Sequence, residues 1–124
     1  MSAAKILLVE DDRESREAIG EVLEDEGYEV VSTTDGLAAL AQLRGPGTLP
    51  ALILIDYSMP KMNALHFRTE MLKEPAWKDI KLVLLTADID PQGKSEAVQA
   101  TGFLRKPVSI EDLCSVVRSV IDGP

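Results

Sequence analysis

Ala51-Leu52-Ile53-Leu54-Ile55 is an uninterrupted apolar run of five residues, matched in length only by the alanine-rich Leu37–Ala41, and it stops on an acid, Asp56. Five successive apolar side chains leave no polar face. The run therefore reads as a strand covered on both sides, the kind found at the centre of a parallel sheet. It is far short of the ~20 residues that a membrane-spanning helix needs. Working outward, Lys5-Ile6-Leu7-Leu8-Val9 is a second such run and ends in Glu10-Asp11-Asp12. Leu82-Val83-Leu84-Leu85 is a third and runs into Thr86-Ala87-Asp88. Tyr28 to Thr33 and the brief Phe103-Leu104-Arg105 complete five strand-like segments.

The intervening stretches read as helices. From Arg13 to Glu26, Ala18, Ile19, Val22 and Leu23 recur at helical spacing, and Gly27 supplies the stop. Asp35 caps a segment carrying Leu37, Leu40, Ala41 and Leu43, which ends at Gly45-Pro46-Gly47. A third helix is expected from Ala64 to about Lys73, stopping before Pro75, and a fourth from Pro91, at its first position, to about Ala100. Ser109-Ile110-Glu111-Asp112 resembles a capping box and opens a last helix with Leu113, Val116, Val117, Val120 and Ile121. Strands and helices in strict alternation imply an α/β fold: a parallel five-stranded sheet, doubly wound, with helical crossovers on both faces. Residues 1–124 are expected to form a single domain, and at 45% hydrophobic and 27% charged residues disorder is not expected.

Charge narrows the function. The formal net charge of −8 disfavours non-specific nucleic-acid binding, because phosphates need cations opposite them. Between Glu10 and Glu29 lie ten of the twenty-one acidic residues; Glu14, Glu17, Glu21, Glu24 and Asp25 read as a solvated helix face, whereas Glu10, Asp11 and Asp12 are not so easily dismissed. Asp12 is read as a helix N-cap or a solvated acid and not as a metal ligand. Met1-Ser2-Ala3-Ala4-Lys5 leads straight into a strand without an apolar leader, so the cytoplasm is the expected compartment. Cys114, the one cysteine, is expected to be a small buried core residue, His66 a surface residue and Trp77 a packing residue.

In an open parallel sheet, ligands bind beyond the carboxyl ends of the strands. Those positions hold Glu10-Asp11-Asp12, Asp56, Thr86-Ala87-Asp88 and Arg105-Lys106-Pro107. Close carboxylates repel one another unless one is protonated or a cation joins them. An all-oxygen set with room for water suits Mg²⁺, whereas Zn²⁺ prefers His and Cys. With such an ion present the site could accept a phosphoryl group, with Lys106 as a point charge, Thr86 as a hydroxyl donor and Asp56 as the nucleophile.

At these residues the chain resembles the receiver domains of two-component response regulators, the CheY-like family, over essentially its whole length. The resemblance rests on Val9-Glu10-Asp11, Leu54-Ile55-Asp56-Tyr57-Ser58-Met59-Pro60, Leu84-Leu85-Thr86-Ala87 and Phe103-Leu104-Arg105-Lys106-Pro107. Each motif is weak alone; four in order, each at a strand end, are very specific. The resemblance implies the flavodoxin-like (βα)5 fold with strand order 2-1-3-4-5. It implies Asp56 as phosphoacceptor, and Mg²⁺ held by Asp11, by Glu10 mostly through coordinated water, by Asp56 and by the backbone carbonyl of Ser58. It implies a Lys106 that contacts the phosphoryl group, a Thr86 that moves toward it, a Phe103 that turns inward, and a cis Lys106–Pro107 bond. Implied partners are a sensor histidine kinase or histidine phosphotransfer protein, and an output protein or linked output domain read through the helix 4–strand 5–helix 5 face. Direct nucleic-acid or membrane contact is not implied, and the chain would be a monomer or a phosphorylation-dependent dimer. It would catalyse only its own phosphorylation and slow dephosphorylation.

Two departures stand out. Asn63-Ala64 replaces the family's usual Asp-Gly, so a slightly altered loop is expected, since alanine must avoid positive φ. Phe103 replaces the common tyrosine, so any partner contact there relies on packing. Ser58 and Asp88 sit where the family modulates dephosphorylation. Three rival readings fare worse. An aspartyl-nucleophile hydrolase of the haloacid-dehalogenase kind would want an acid at Ser58 and a cap insertion. A flavin binder would want a phosphate-cradling loop where this chain has acids. A receiver that works without phosphorylation would not need the intact Asp11, Asp56, Thr86 and Lys106.

Overall fold

All five residues of Leu52–Asp56 are buried in the computed structural model, which describes residues 3–59, 62–87 and 91–123. This strand, β3, lies in the middle of the sheet. Around it stand β1 (Lys5–Val9), β2 (Glu29–Thr33), β4 (Lys81–Thr86) and β5 (Gly102–Arg105), in the order β2-β1-β3-β4-β5. Every pairing is parallel. The five helices are α1 (Arg13–Asp25), α2 (Gly36–Arg44), α3 (Ala64–Met71), α4 (Pro91–Val98) and α5 (Ile110–Asp122). Burial follows rank in the sheet: β3 and all but the first residues of β1 and β4 are inside, whereas the edge strand β2 has none fully buried and β5 only Leu104. The continuous apolar runs are therefore the strands with neighbours on both sides and helices on both faces.

Alternation along the strands splits the core into two layers. Ile6, Leu8, Leu52, Leu54, Val83 and Leu85 meet Ile19 and Leu23 of α1 and Leu113 and Val117 of α5. Leu7, Val9, Ile53, Ile55, Leu82 and Leu84 meet the face formed by Leu40 and Leu43 of α2, Phe67 and Met71 of α3, and Val98 of α4. Burying a side chain of this size stabilises by roughly 1.5–3 kcal/mol. Among the described residues no helix is long and apolar enough to cross a membrane.

The helix ends are set by the residues expected to set them. Asp12 accepts a hydrogen bond from the Ser15 amide at 2.8 Å, Asp35 from Ala38 at 2.8 Å, and Ser109 from Asp112 at 3.1 Å. Gly27, at φ 97°, takes the left-handed position after α1. Asn63 (φ −77°, ψ 173°) caps α3 by accepting from His66, and Ala64 begins the helix fully buried. The turn into α3 thus makes no demand for positive φ at residue 64.

Three local expectations change. Pro75, read as a stop, also starts a short 3-10 turn, Pro75–Trp77, because proline's missing N–H costs nothing at a first position. The turn buries Trp77, with the Arg44 guanidinium 5.9 Å from its ring centroid. Leu37 is half exposed, since α2 turns Ala39, Leu40 and Leu43 inward instead. Cys114 is not a core residue: Leu113 and Val117 take the sheet-facing side of α5. Cys114, one residue round the helix, is only partly buried, and its Sγ donates to Glu26 Oε1 at 3.5 Å. Desolvation and the Glu26 carboxylate push its thiol pKa up. Asp88 and Asp90, with Pro60 and Lys61, lie outside the described residues.

At the mouth of α2, Gly36 is pressed against Met62: a Cβ there would lie 2.8 Å from Met62 Cγ.

Candidate functional site

The parallel register delivers the strand ends together. Val9 pairs with Ile55, Asp56 with Leu85, and Thr86 with Arg105, so Glu10, Asp56, Thr86 and Lys106 emerge at one edge of the sheet. The order reverses between β1 and β3, where crossovers leave in opposite directions and open a crevice.

Glu10, Asp11 and Asp56 each bring a carboxylate oxygen to within 4.8 Å of the others. Glu10 and Asp56 are buried, and Asp11 is exposed. Lys106 Nζ reaches into the cluster, donating to Glu10 Oε1 at 2.5 Å and to Asp56 Oδ2 at 3.1 Å. Its backbone is fixed by Thr86, whose carbonyl accepts from the Lys106 amide at 2.8 Å, and the Lys106–Pro107 bond is cis. Thr86 itself is buried at the end of β4. The Ser58 amide donates to Asp56 Oδ1 at 3.4 Å. Phe103 pairs with Leu84 and packs, partly buried, against the α2–α4 side of the core.

The electrostatics follow from crowding and burial. Desolvation pushes the Glu10 carboxyl up to about 7, against the opposing pull of Lys106 and the Asp12 amide, with Asp56's charge adding to the rise. Partial burial by itself would lower the Lys106 ammonium. The hydrogen bonds and charges of Glu10 and Asp56 outweigh that and hold it above its usual value. Asp12 stands apart as the cap of α1, its carboxyl lowered by its bonds to Ser15. Three carboxylates, two of them bonded to Lys106, form an all-oxygen group that could hold a hard cation.

Two contacts were not foreseen from the sequence. Arg16 Nη1 donates to the backbone carbonyls of Glu10 at 3.0 Å and Asp11 at 3.3 Å. Lys94 Nζ sits 4.3 Å from the Tyr57 ring centroid, linking α4 to the residue after Asp56. An arginine one turn into the helix that follows an acidic loop is the only signal that pointed toward the first. Nothing local points toward the second.

The model of the response regulator receiver domain family matches residues 6–118. The phosphate regulon transcriptional regulatory protein PhoB of Escherichia coli is 31% identical over 121 residues, covering 96% of this chain and 52% of its own length. The sensor histidine kinase CheAY of Helicobacter pylori is 30% identical over 94% of this chain and 15% of its own. The chain thus spans about half the length of the PhoB relatives it matches. Among solved structures, the chemotaxis response regulator CheY4 of Vibrio cholerae superposes with a TM-score of 0.88 at 32% identity, over 96% of this chain and 99% of that one.

Proposed function

The chain belongs to the response regulator receiver domain family, whose general function is a phosphorylation-activated switch, and on that premise we propose how its own residues run the switch. Asp56 is the phosphoacceptor. One of its carboxylate oxygens forms a bond to the phosphorus of a phosphohistidine while the P–N bond breaks, and the electron pair stays on the imidazole nitrogen. Water later cleaves the acyl phosphate, releasing inorganic phosphate and restoring the carboxylate.

Glu10, Asp11, Asp56 and the Ser58 backbone carbonyl would hold Mg²⁺. Bound there, the ion supplies positive charge that lets an anionic donor approach three acids and offsets charge on the transferring phosphoryl oxygens. Lys106, already paired with Asp56, passes to a phosphoryl oxygen as a point charge. Thr86 donates its hydroxyl to another, and Phe103 turns inward, changing the face made by α4, β5 and α5. That face controls an output protein or a linked output domain. The donor is a sensor histidine kinase or phosphotransfer protein, the compartment the cytoplasm, and residues 1–124 act as one receiver unit. The chain's own chemistry is limited to its phosphorylation and slow dephosphorylation.

The observation that carries this reading is the convergence of three carboxylates and one ammonium, from β1, β3 and β5, at the carboxyl edge of the sheet. The test is incubation with acetyl phosphate and Mg²⁺ followed by intact-mass measurement. The protein should gain one phosphoryl mass and Asp56→Asn none. Equal labelling of both would refute the assignment.

A further inference from the structure

We propose that Arg16 is a positioning residue for the divalent ion. It would shape the β1–α1 loop that presents Glu10 and Asp11, and offset their repulsion without occupying a ligand oxygen. This rests on the metal reading above. The geometry is specific. Arg16 projects from the first turn of α1, and its Nη1 bridges two successive backbone carbonyls, those of Glu10 and Asp11. The same loop is tied at two further points: the Glu10 amide donates to the Thr33 carbonyl at 3.1 Å, and the Asp12 amide to Glu10 Oε2 at 3.1 Å.

Two cations therefore serve the acids in different ways. Lys106 binds the carboxylates of Glu10 and Asp56 directly and competes with an ion for those oxygens. Among the described residues, Arg16 donates to main-chain oxygens of the loop, so neither of these bonds need break when an ion binds. It is partly buried against the loop, where its charge is less screened than in open solvent. Outer groups that orient ligands in this way typically contribute 10–100-fold to metal affinity.

The experiment measures Mg²⁺ affinity by calorimetry on the unphosphorylated protein, alongside thermal unfolding in EDTA. Arg16→Met should bind Mg²⁺ about tenfold more weakly while still unfolding cooperatively in EDTA. Arg16→Lys, which keeps a charge and donors, should recover most of the loss. Labelling of Arg16→Met by acetyl phosphate should be slow at low Mg²⁺ and return to the unsubstituted rate at saturating Mg²⁺, because the defect lies in affinity and not in the transfer step. Wild-type affinity in Arg16→Met, with a weakened Asp11→Asn control, would overturn the role of Arg16 and leave the metal site standing. Unchanged affinity in Asp11→Asn as well would remove the metal site, and the role of Arg16 with it.

Discussion

The two sides of the site are built to different standards. On the β1–α1 side the loop is held by the Asp12 cap, the Arg16 bridge and the Glu10–Thr33 amide bond, and α1 seats Ile19 and Leu23 against the sheet. On the α4 side, the described residues of the helix bury only Ser95 and Val98. That helix includes Gly93, leans on the Tyr57 ring through Lys94, and is followed by Gln99 at φ 59°, a left-handed position that suits glycine. The backbone just past it is gripped from α3 by Arg68, which donates to the Gln99 carbonyl at 3.1 Å while its buried Nε has no hydrogen-bond partner among the described residues. The difference is one of bracing: the loop that presents the acids is tied at several points, whereas the described residues of α4 seat only two side chains in the core.

The largest break in this contrast would come from Lys106, the link between the sides. Lys106→Met should lower the acetyl phosphate labelling rate by roughly 10²-fold, the loss typical of one preorganised charge aimed at a transition state. Time-resolved intact-mass spectra would check it. Next comes pH. The Glu10 carboxyl is raised in the folded protein from 4.5 to about 7. The folded protein therefore binds the proton more tightly than the unfolded chain does. That contribution to stability is complete below about 4.5 and is lost as pH climbs to about 7, an effect on the order of 3 kcal/mol. Denaturant melts of the metal-free protein across that window should show the fall. Glu10→Gln should flatten it, and saturating Mg²⁺, which favours the ionised form, should reverse it. Lys106, raised in turn, adds stability that persists below its usual value and is lost only as pH rises through its elevated one.

Smaller effects sharpen the contrast from each side. Asp12→Ala removes the α1 cap and should cost about 1 kcal/mol in chemical denaturation, loosening the braced side. Gln99→Gly should gain a few tenths of a kcal/mol at most, since relief of the left-handed backbone is partly offset by the greater freedom of unfolded glycine. Amide exchange should report faster opening in α4 than in α1 for the parent protein, and a narrower gap in both variants.

The sheet was legible because β1, β3 and β4 are written as apolar runs that periodicity cannot mistake for surface. The candidate site was legible because each run ends on a residue with chemistry. Caps were legible for the same local reason: Asp12, Asp35 and Ser109 act within three residues of themselves. What escaped depends on placement in space. Arg16 reaches back across a loop, Arg68 spans from α3 to the end of α4, and Lys94 finds an aromatic ring on another strand's exit. Cys114 escaped because its apolar neighbours Leu113 and Val117 claim the inward side of α5, which the heptad-like spacing leaves open to several residues. Pro75 was ambiguous by nature, being as good a beginning as an ending.

Gly36 has a bearing on any attempt to transplant this pocket. Its missing side chain is the space into which Met62 fits, and Met62 belongs to the turn between Asp56 and α3. A graft that carried Asp56 and its loop onto a host scaffold with alanine at the opening of α2 would set a Cβ 2.8 Å from Met62 Cγ, so that Met62 would have to shift. The portable unit is therefore the loop together with the glycine it leans on, two pieces of chain separated by a whole helix and strand.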